Sequence, residues 1–326
     1  MWRRNWQLPT VSTVSALACT SLSPWDRHER SWDDDHEAYD RFYLRQLEEL
    51  CTRYGELVEV WFDGACSEHN PYDWCSIMAN LARNQPTAMI FNMGSPTICW
   101  VGNEDSLASD PCWYTVDSTH RSIFDDDEDA FMAGERYLPP ECEVAIRRHW
   151  FWHQDDLDTL KTRQHLDGIW YLSVGLGANL LLNVPPDRRG QIDEHDLVRL
   201  AEFRQSLRDR FARPIEGSLT QNGTRIIVHF DEPATFDHLM LEEAIERGQR
   251  IRQNRILDAS TDTVMVDEVL TIGTQRVHAF PRITTDRLHI EIGDPSGQLH
   301  RARAHLTRIG ALPRLQTQSP FLAGTR

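Results

Sequence analysis

Two acids draw attention by what precedes them. Asp63 closes the run Leu57-Val58-Glu59-Val60-Trp61-Phe62, and Glu104 follows Ile98-Cys99-Trp100-Val101-Gly102-Asn103, 41 residues further on. Both runs are short, branched and aromatic, the pattern of a β-strand, so each acid falls at a strand's end. Parallel neighbouring strands bring such ends to one face of a sheet. A carboxylate on each side of a scissile bond is what glycoside hydrolysis needs, about 5–5.5 Å apart when one of them is a nucleophile. Trp61 and Trp100 precede the acids by two and four positions, and Trp25 sits in another strand-to-loop segment. Indole faces beside acids suit the apolar face of a sugar ring. Taken singly, each acid is equally well a loop cap or a surface charge.

The elements that must carry these residues follow from periodicity. Residues 36–54 read as a helix, with Tyr43, Leu47, Leu50, Cys51 and Tyr54 at three- and four-residue spacing, Asp33, Asp34 and Asp35 at its start and Gly55 as its stop. Ile77 to Leu81 predicts a helix, Ala88 to Asn92 and Ile98 to Val101 strands, and 158–173 another helix. Asn179 to Val184 predicts a buried strand stopped by Pro185-Pro186. A long helix runs from about Asp193, with Leu197, Leu200, Phe203, Leu207 and Phe211 on one face. Strands alternating with helices through residue 211 define an α/β architecture, and acids at strand C-termini are how barrel enzymes present catalytic groups. After Pro214 the pattern changes to short alternating runs at Ile226-Ile227-Val228, Thr263-Val264-Met265-Val266 and Leu288 to Ile292, which predict a small all-β domain over about 215–300. The tail from Arg301 shows no clear element.

Longer motifs sharpen the reading. Ser23-Pro24-Trp25-Asp26-Arg27-His28, Phe42 to Leu50, Tyr54-Gly55, Val60-Trp61-Phe62-Asp63-Gly64-Ala65 and Trp100-Val101-Gly102-Asn103-Glu104 resemble the alpha-L-fucosidases of glycoside hydrolase family 29. The resemblance continues through Tyr137 to Arg147, Trp150-Phe151 and Leu181 to Gly190. In the last third, Leu241-Glu242-Glu243, Ile245, Gly248-Gln249-Arg250 and Thr271-Ile272-Gly273 look like the family's C-terminal β-sandwich. It implies an incomplete (β/α)8-like TIM barrel over residues 1–213, followed by a β-sandwich domain over 214–326.

The same resemblance implies a retaining alpha-L-fucosidase acting on fucosylated oligosaccharides. Asp63 is then the nucleophile and Glu104 the general acid/base, and the Gly-Asn-Glu motif is that of the branch favouring alpha-1,3 and alpha-1,4 linkages. Trp25, Asp26 and His28 match a barrel loop that shapes the sugar site or has a structural role, and Trp61 and Trp100 flank the acids. Glu141, Arg147 and Trp150 either meet the leaving sugars or form a core ion pair with a packed tryptophan. Asn183 with the following prolines reads as architecture, and His149, His153 and His165 are assigned nothing. The implied mechanism requires no metal and no cofactor. Cys99, Ser106 and Arg148-His149 depart from the family pattern, which usually has Arg, Gly and Pro-Gly there. Relative to the family, the first barrel strands are expected to be missing ahead of residue 21.

Bulk composition narrows the alternatives. A chain of 326 residues with 40% hydrophobic and 26% charged residues has the makings of a real core. A formal charge of -16 argues against a general nucleic-acid partner, whose footprint is basic, and no apolar run is long enough for a membrane span. The acidic run Asp125 to Asp129 reads as a solvated loop, with a hard-cation site as the lesser alternative. Seven cysteines include no CxxC pair. The first twenty residues make a poor signal peptide, so a secreted, periplasmic or lysosome-like location rests on the family resemblance alone.

Overall fold

The computed structural model describes residues 16–21, 35–63, 72–113, 115–116, 136–245 and 248–306. The chain divides into two compact units, one of residues 1–99 with 121–126 and the other of residues 100–120 with 127–326. The fold is α/β, of the incomplete-barrel type, with a C-terminal β-sheet.

In the first unit, β1 (Ala16–Ser21), β2 (Leu57–Asp63) and β3 (Met89–Phe91) form a parallel sheet in that order. Helix α1 (His36–Arg53) joins β1 to β2, and α2 (Trp74–Asn84) joins β2 to β3. Both helices start on an aspartate: Asp35 accepts from the Ala38 N–H, and Asp73 from the Ser76 N–H. Gly55, at φ 91°, lets the chain turn after α1. Alternation along β2 sends Val60 and Phe62 into a core with Tyr39, Tyr43, Leu47, Ile77 and Leu81 of the two helices. Gln85 completes the corner. Its side-chain amide donates to the carbonyls of Cys51 and Gly55 and accepts from the Leu57 N–H.

The second unit opens at Trp100, within β4 (Cys99–Trp100). The short pair β5 (Thr115–Val116) and β6 (Arg136–Tyr137) precedes β7 (Pro140–Ala145), which is buried at every position. β8 (Asn179–Asn183) pairs parallel to β7 and ends a sheet ordered β4–β7–β8. The sequence predicts a buried strand here, but β8 has a strand on one side only among the described residues, and Leu180 to Leu182 are half-buried. The predicted helix over 158–173 resolves into a 3-10 turn (Leu157–Thr159) and α3 (Arg163–Leu172), started by the Thr162 hydroxyl.

Helix α4 (Glu194–Phe211) follows β8, capped by Asp193. Its innermost residues are Asp196, Ser206 and Arg210, whereas Leu200, Phe203, Leu207 and Phe211 are half-buried and Leu197 is 49% exposed. The predicted face does turn inward, with Phe203 packed on Val144, Leu166 and Ile169, but polar residues lie deepest on it. The inner face is taken by polar ties: Asp196 binds Arg147, while Ser206 and Arg210 bind Asp167 of α3.

From Ile215 the strands are antiparallel: β9 (Ile215–Asn222), β10 (Arg225–Glu243), β11 (Asn254–Asp258), β12 (Thr263–Val269), β13 (Arg276–Ile292) and β14 (Leu299–His305). Their order is β12–β11–β13–β10–β14–β9. One end of β9 also pairs with β10, which folds the sheet over its own core. That core contains Ile226, Val228, Phe236, Leu239, Leu241, Ile256, Leu288 and Ile290. The tail is not featureless as predicted, because residues 299–305 form β14, laid between β10 and β9 with Ala302 and Ala304 fully buried.

Candidate active site

Strand β2 delivers Asp63. It is the strand's last residue, opposite Ser21 at the end of β1, and the register puts Trp61 opposite Phe91 of β3. All three strands run parallel, so their C-terminal ends share one edge. With Val60 and Phe62 turned to the helices, Glu59 and Trp61 occupy the other face. Trp61 is stacked on Phe91 at 4.7 Å between ring centroids and 16° between planes, and its buried Nε1 has no partner among the described residues. Beyond Phe91 the chain enters the left-handed region at Asn92, φ 65°. Asn92 is buried, and its Oδ1 is without a partner among the described residues. It closes the run Ala88 to Asn92 that the sequence predicts as a strand. Trp25, Asp26 and His28 lie outside the described residues, as does the acidic run 125–129.

Glu104 stands on a loop built to hold it. The Val101 N–H donates to the Glu141 carbonyl at 3.1 Å, which ties the end of β4 to β7. Gly102, at φ 86°, then turns the chain. Asn103 fastens the bend: its Oδ1 accepts from the N–H groups of Asp105 (3.2 Å) and Leu107 (3.1 Å), and its Nδ2 donates to the Leu107 carbonyl at 2.8 Å. Ser106 is fully buried at φ 59°, a conformation that favours glycine. Glu104 is exposed, and its Oε2 accepts a hydrogen bond from Trp150 Nε1 at 3.3 Å. Trp150 is itself fixed from β8, whose Asn183 side chain donates to the Trp150 carbonyl at 2.8 Å. Asn183 is thus architectural, as its place before the prolines predicts. Trp100 is half-buried, and its Nε1 is without a partner among the described residues. Phe151, beside Trp150, is 80% exposed.

For Glu141 and Arg147 the structure decides between the two places the sequence leaves open. Arg147 is 1% exposed. Its guanidinium meets Asp156 at 2.8 Å, Asp196 at 2.9 Å and Asp193 at 3.4 Å. Burial works against its charge, but the hydrogen bonds to Asp156 and Asp196 outweigh that and hold it above the usual arginine range. Arg147 is therefore a core ion-pair residue. Glu141 is fully buried in β7, with the Asn179 side-chain amide on its carboxylate. Neither presents a group to solvent. Of the three, Trp150 alone reaches the Glu104 carboxylate.

Lys161, the chain's single lysine, is a further member of this region that composition flags but motif reading does not use. Its Nζ donates to the carbonyls of Ala145 (2.6 Å) and Arg147 (3.3 Å), at the C-terminal end of β7. Burial pushes its ammonium down, partly opposed by Asp105. It braces the turn that leads into Trp150.

The first unit, by itself, therefore carries an acid at the end of a parallel strand, and the second unit offers an exposed carboxylate held by an indole donor on the loop after β4. A carboxylate so placed is suited to proton transfer. Among the described residues no group of three or more His, Cys, Asp or Glu side chains is arranged to hold a metal ion, and no helix is long and apolar enough to cross a membrane.

Comparison with known proteins agrees with the motifs. The chain is 32% identical over 315 residues to Alpha-L-fucosidase 1 of Arabidopsis thaliana, covering 82% of this chain and 60% of that protein. It spans about 60% of the length of the curated relatives it matches. Among solved structures it resembles a glycoside hydrolase 29 family member from an unknown rumen bacterium, with a TM-score of 0.77 and 25% identity over 94% of this chain and 59% of that one. It also resembles a Ruminococcus gnavus GH29 fucosidase in complex with fucose, with a TM-score of 0.75 and 25% identity over 91% of this chain and 73% of that one. Residues 11–209 match the model of the family described as Alpha-L-fucosidase, and the chain belongs to that family, glycoside hydrolase family 29.

Proposed function

We propose that this protein is a retaining alpha-L-fucosidase that removes alpha-1,3- or alpha-1,4-linked L-fucose from branched oligosaccharides. The observation that carries the reading is the loop from Gly102 to Leu107, where Asn103 locks the backbone and the Trp150 indole holds the Glu104 carboxylate at the surface. Glu104, when protonated, gives its proton to the departing glycosidic oxygen while Asp63 attacks the anomeric carbon. Glu104 then takes a proton from the water that hydrolyses the fucosyl ester, and the configuration is retained. Residues 1–213 form the catalytic domain in this reading and 214–326 a β-domain. Trp25, Asp26, His28, Trp61 and Trp100 border the sugar, and the site of action is secreted, periplasmic or lysosome-like.

A second reading has a specific observation behind it: an inactive homologue or carbohydrate-binding remnant. β8 has a strand on one side only among the described residues, and Leu197 and Val198 of α4 are 49% and 59% exposed. Apolar surface of this kind fits a fold that is not closed.

One set of assays separates the two. Purified protein is incubated with an aryl alpha-L-fucoside and with a Lewis-type branched trisaccharide, alongside Asp63→Ala and Glu104→Ala. Hydrolysis that both substitutions abolish, with azide rescuing the Asp63 variant, supports the hydrolase. Unchanged turnover in Asp63→Ala removes the assignment, and binding without turnover in the unsubstituted protein favours the remnant.

A further inference from the structure

The segment that follows Glu104 is gripped from the antiparallel sheet. Arg276, at the start of β13, holds Asp110 with both arms of its guanidinium: Nη1 donates to Oδ1 at 2.8 Å and Nη2 to Oδ2 at 2.7 Å. Nη1 also donates to the Thr271 carbonyl at 2.9 Å, which fixes the fork against its own turn. Just beyond Asp110, the Thr271 hydroxyl accepts from the Cys112 N–H and donates to the Cys112 carbonyl, both at 3.1 Å. The same carbonyl accepts from the Gln249 side-chain amide at 2.8 Å. Arg252 lies over the Trp113 ring, 5.8 Å from its centroid. Between Glu104 and Asp110, the Ala108 N–H donates to the Leu172 carbonyl at the end of α3, at 2.9 Å. Arg276, Thr271 and Gln249 are buried, and all these contacts lie within the second unit.

Stability alone does not account for such a set. A guanidinium taken out of water loses in desolvation about what it gains from its partner, so a buried ion pair adds little net stability. What it adds is geometry, because a planar fork on a carboxylate fixes direction as well as distance. Here the fork is spent on the loop that carries Glu104. Upstream, Asn103 pins the backbone of Asp105 and Leu107. Downstream, Ala108, Asp110 and Cys112 are each held. The Glu104 side chain is exposed, and its contact with the Trp150 indole is long at 3.3 Å. One long contact at the surface does not fix a loop, whereas a general acid must be placed to a fraction of an ångström. The placing therefore comes from the backbone on both sides.

We propose that Arg276 and Asp110 are positioning residues for Glu104: the antiparallel sheet clamps the loop from behind and keeps the candidate acid/base in its place. The kinetic part of this proposal rests on the hydrolase reading above; the clamp on the loop does not. The test uses the full chain with two variants. Asp110→Asn, at an exposed side chain, leaves the fork a single neutral acceptor. The double variant Asp110→Ala/Arg276→Met leaves neither charge alone. Circular dichroism checks that both fold. Hydrogen exchange at the Asp105 and Leu107 amides reads the loop. The acid is read by kcat/KM, which reports the departure of the leaving group, on two substrates. A dinitrophenyl alpha-L-fucoside loses its leaving group without a proton, and a Lewis-type branched trisaccharide needs one. Both variants are expected to exchange those amides about fivefold faster or more, the loss of one hydrogen-bonding partner. They are expected to lose about tenfold in kcat/KM on the trisaccharide and less than about twofold on the dinitrophenyl fucoside. Unchanged exchange in both variants overturns the proposal. An equal fall on the two substrates also overturns it, since a merely structural role would lower both alike. If the unsubstituted chain hydrolyses neither fucoside, the hydrolase reading fails and exchange alone decides: faster exchange supports the clamp, and unchanged exchange overturns it.

Discussion

The indole N–H of Trp150 donates to the carboxylate of Glu104 at 3.3 Å, across 46 residues of sequence. The contact joins two loops that follow different strands, β4 and β7. Each loop is anchored separately, the first by Asn103 and the second by Asn183 of β8. The carboxylate is therefore oriented by the architecture of the sheet and not by its own neighbours in sequence.

Trp150→Phe keeps the ring and removes the donor. A hydrogen bond to a charged group is worth about 1.5–3 kcal/mol net, and less at an exposed site such as this one. The variant is expected to fold normally and to lose about tenfold in kcat on an aryl alpha-L-fucoside. An unchanged kcat would show the contact to be incidental.

Arg147 binds three aspartates in the core, so removing it strands carboxylates that cannot reach water. Arg147→Met is expected to cost about 3–5 kcal/mol of stability, the range for breaking one side of a buried ion pair. Arg147→Lys recovers little of this, because a single ammonium cannot reproduce a planar fork directed at several acceptors. Urea unfolding of the two variants against the parent measures both effects.

Ser106 is buried at φ 59° and its hydroxyl has no partner among the described residues. Ser106→Gly removes both costs and adds the backbone entropy of a glycine, about 0.5–1 kcal/mol. A left-handed non-glycine residue costs roughly 1–2 kcal/mol, so a net gain of about 1 kcal/mol is expected. A fall in the urea midpoint would refute it.

Stability should decline on mild acidification. Burial holds His278 down at about 3 and His305 at about 4, and lowers His238 as well. In the unfolded chain these imidazoles take up protons near pH 6.5, whereas in the folded chain His278 and His305 stay neutral until about pH 4 or below and His238 titrates below its usual value. The unfolded state therefore binds more protons within that window, and each group removes about 1.4 kcal/mol per pH unit as pH falls. Acids that burial raises, Glu243 and Asp167 among them, act in the opposite direction. The histidine share is isolated by comparing urea midpoints at pH 7 and pH 5 for the parent and His305→Gln. The variant should show the shallower pH dependence, and equal slopes would discard the assignment.

The local elements were legible because their signals are local. The cap at Asp35, the helix start near Asp193 and the apolar spacing of α1 and β2 depend on residues a few positions apart, and so did the strand end that carries Asp63. Strand β14 was hidden because its inward residues are Ala302 and Ala304, which have little strand preference of their own; only pairing with β9 and β10 makes them core. The polar residues on the inner side of α4 were hidden for a related reason. Hydrophobic periodicity assumes that the buried side is the apolar side, and here Asp196 and Arg210 go inward because Arg147 and Asp167 wait for them. The family, the placing of Asp63 at a strand's end and the order of elements thus belong to the sequence. The pairing of Trp150 with Glu104 and the confinement of Arg147 to the core belong to the tertiary structure, since each depends on distances between residues that the chain alone does not bring together.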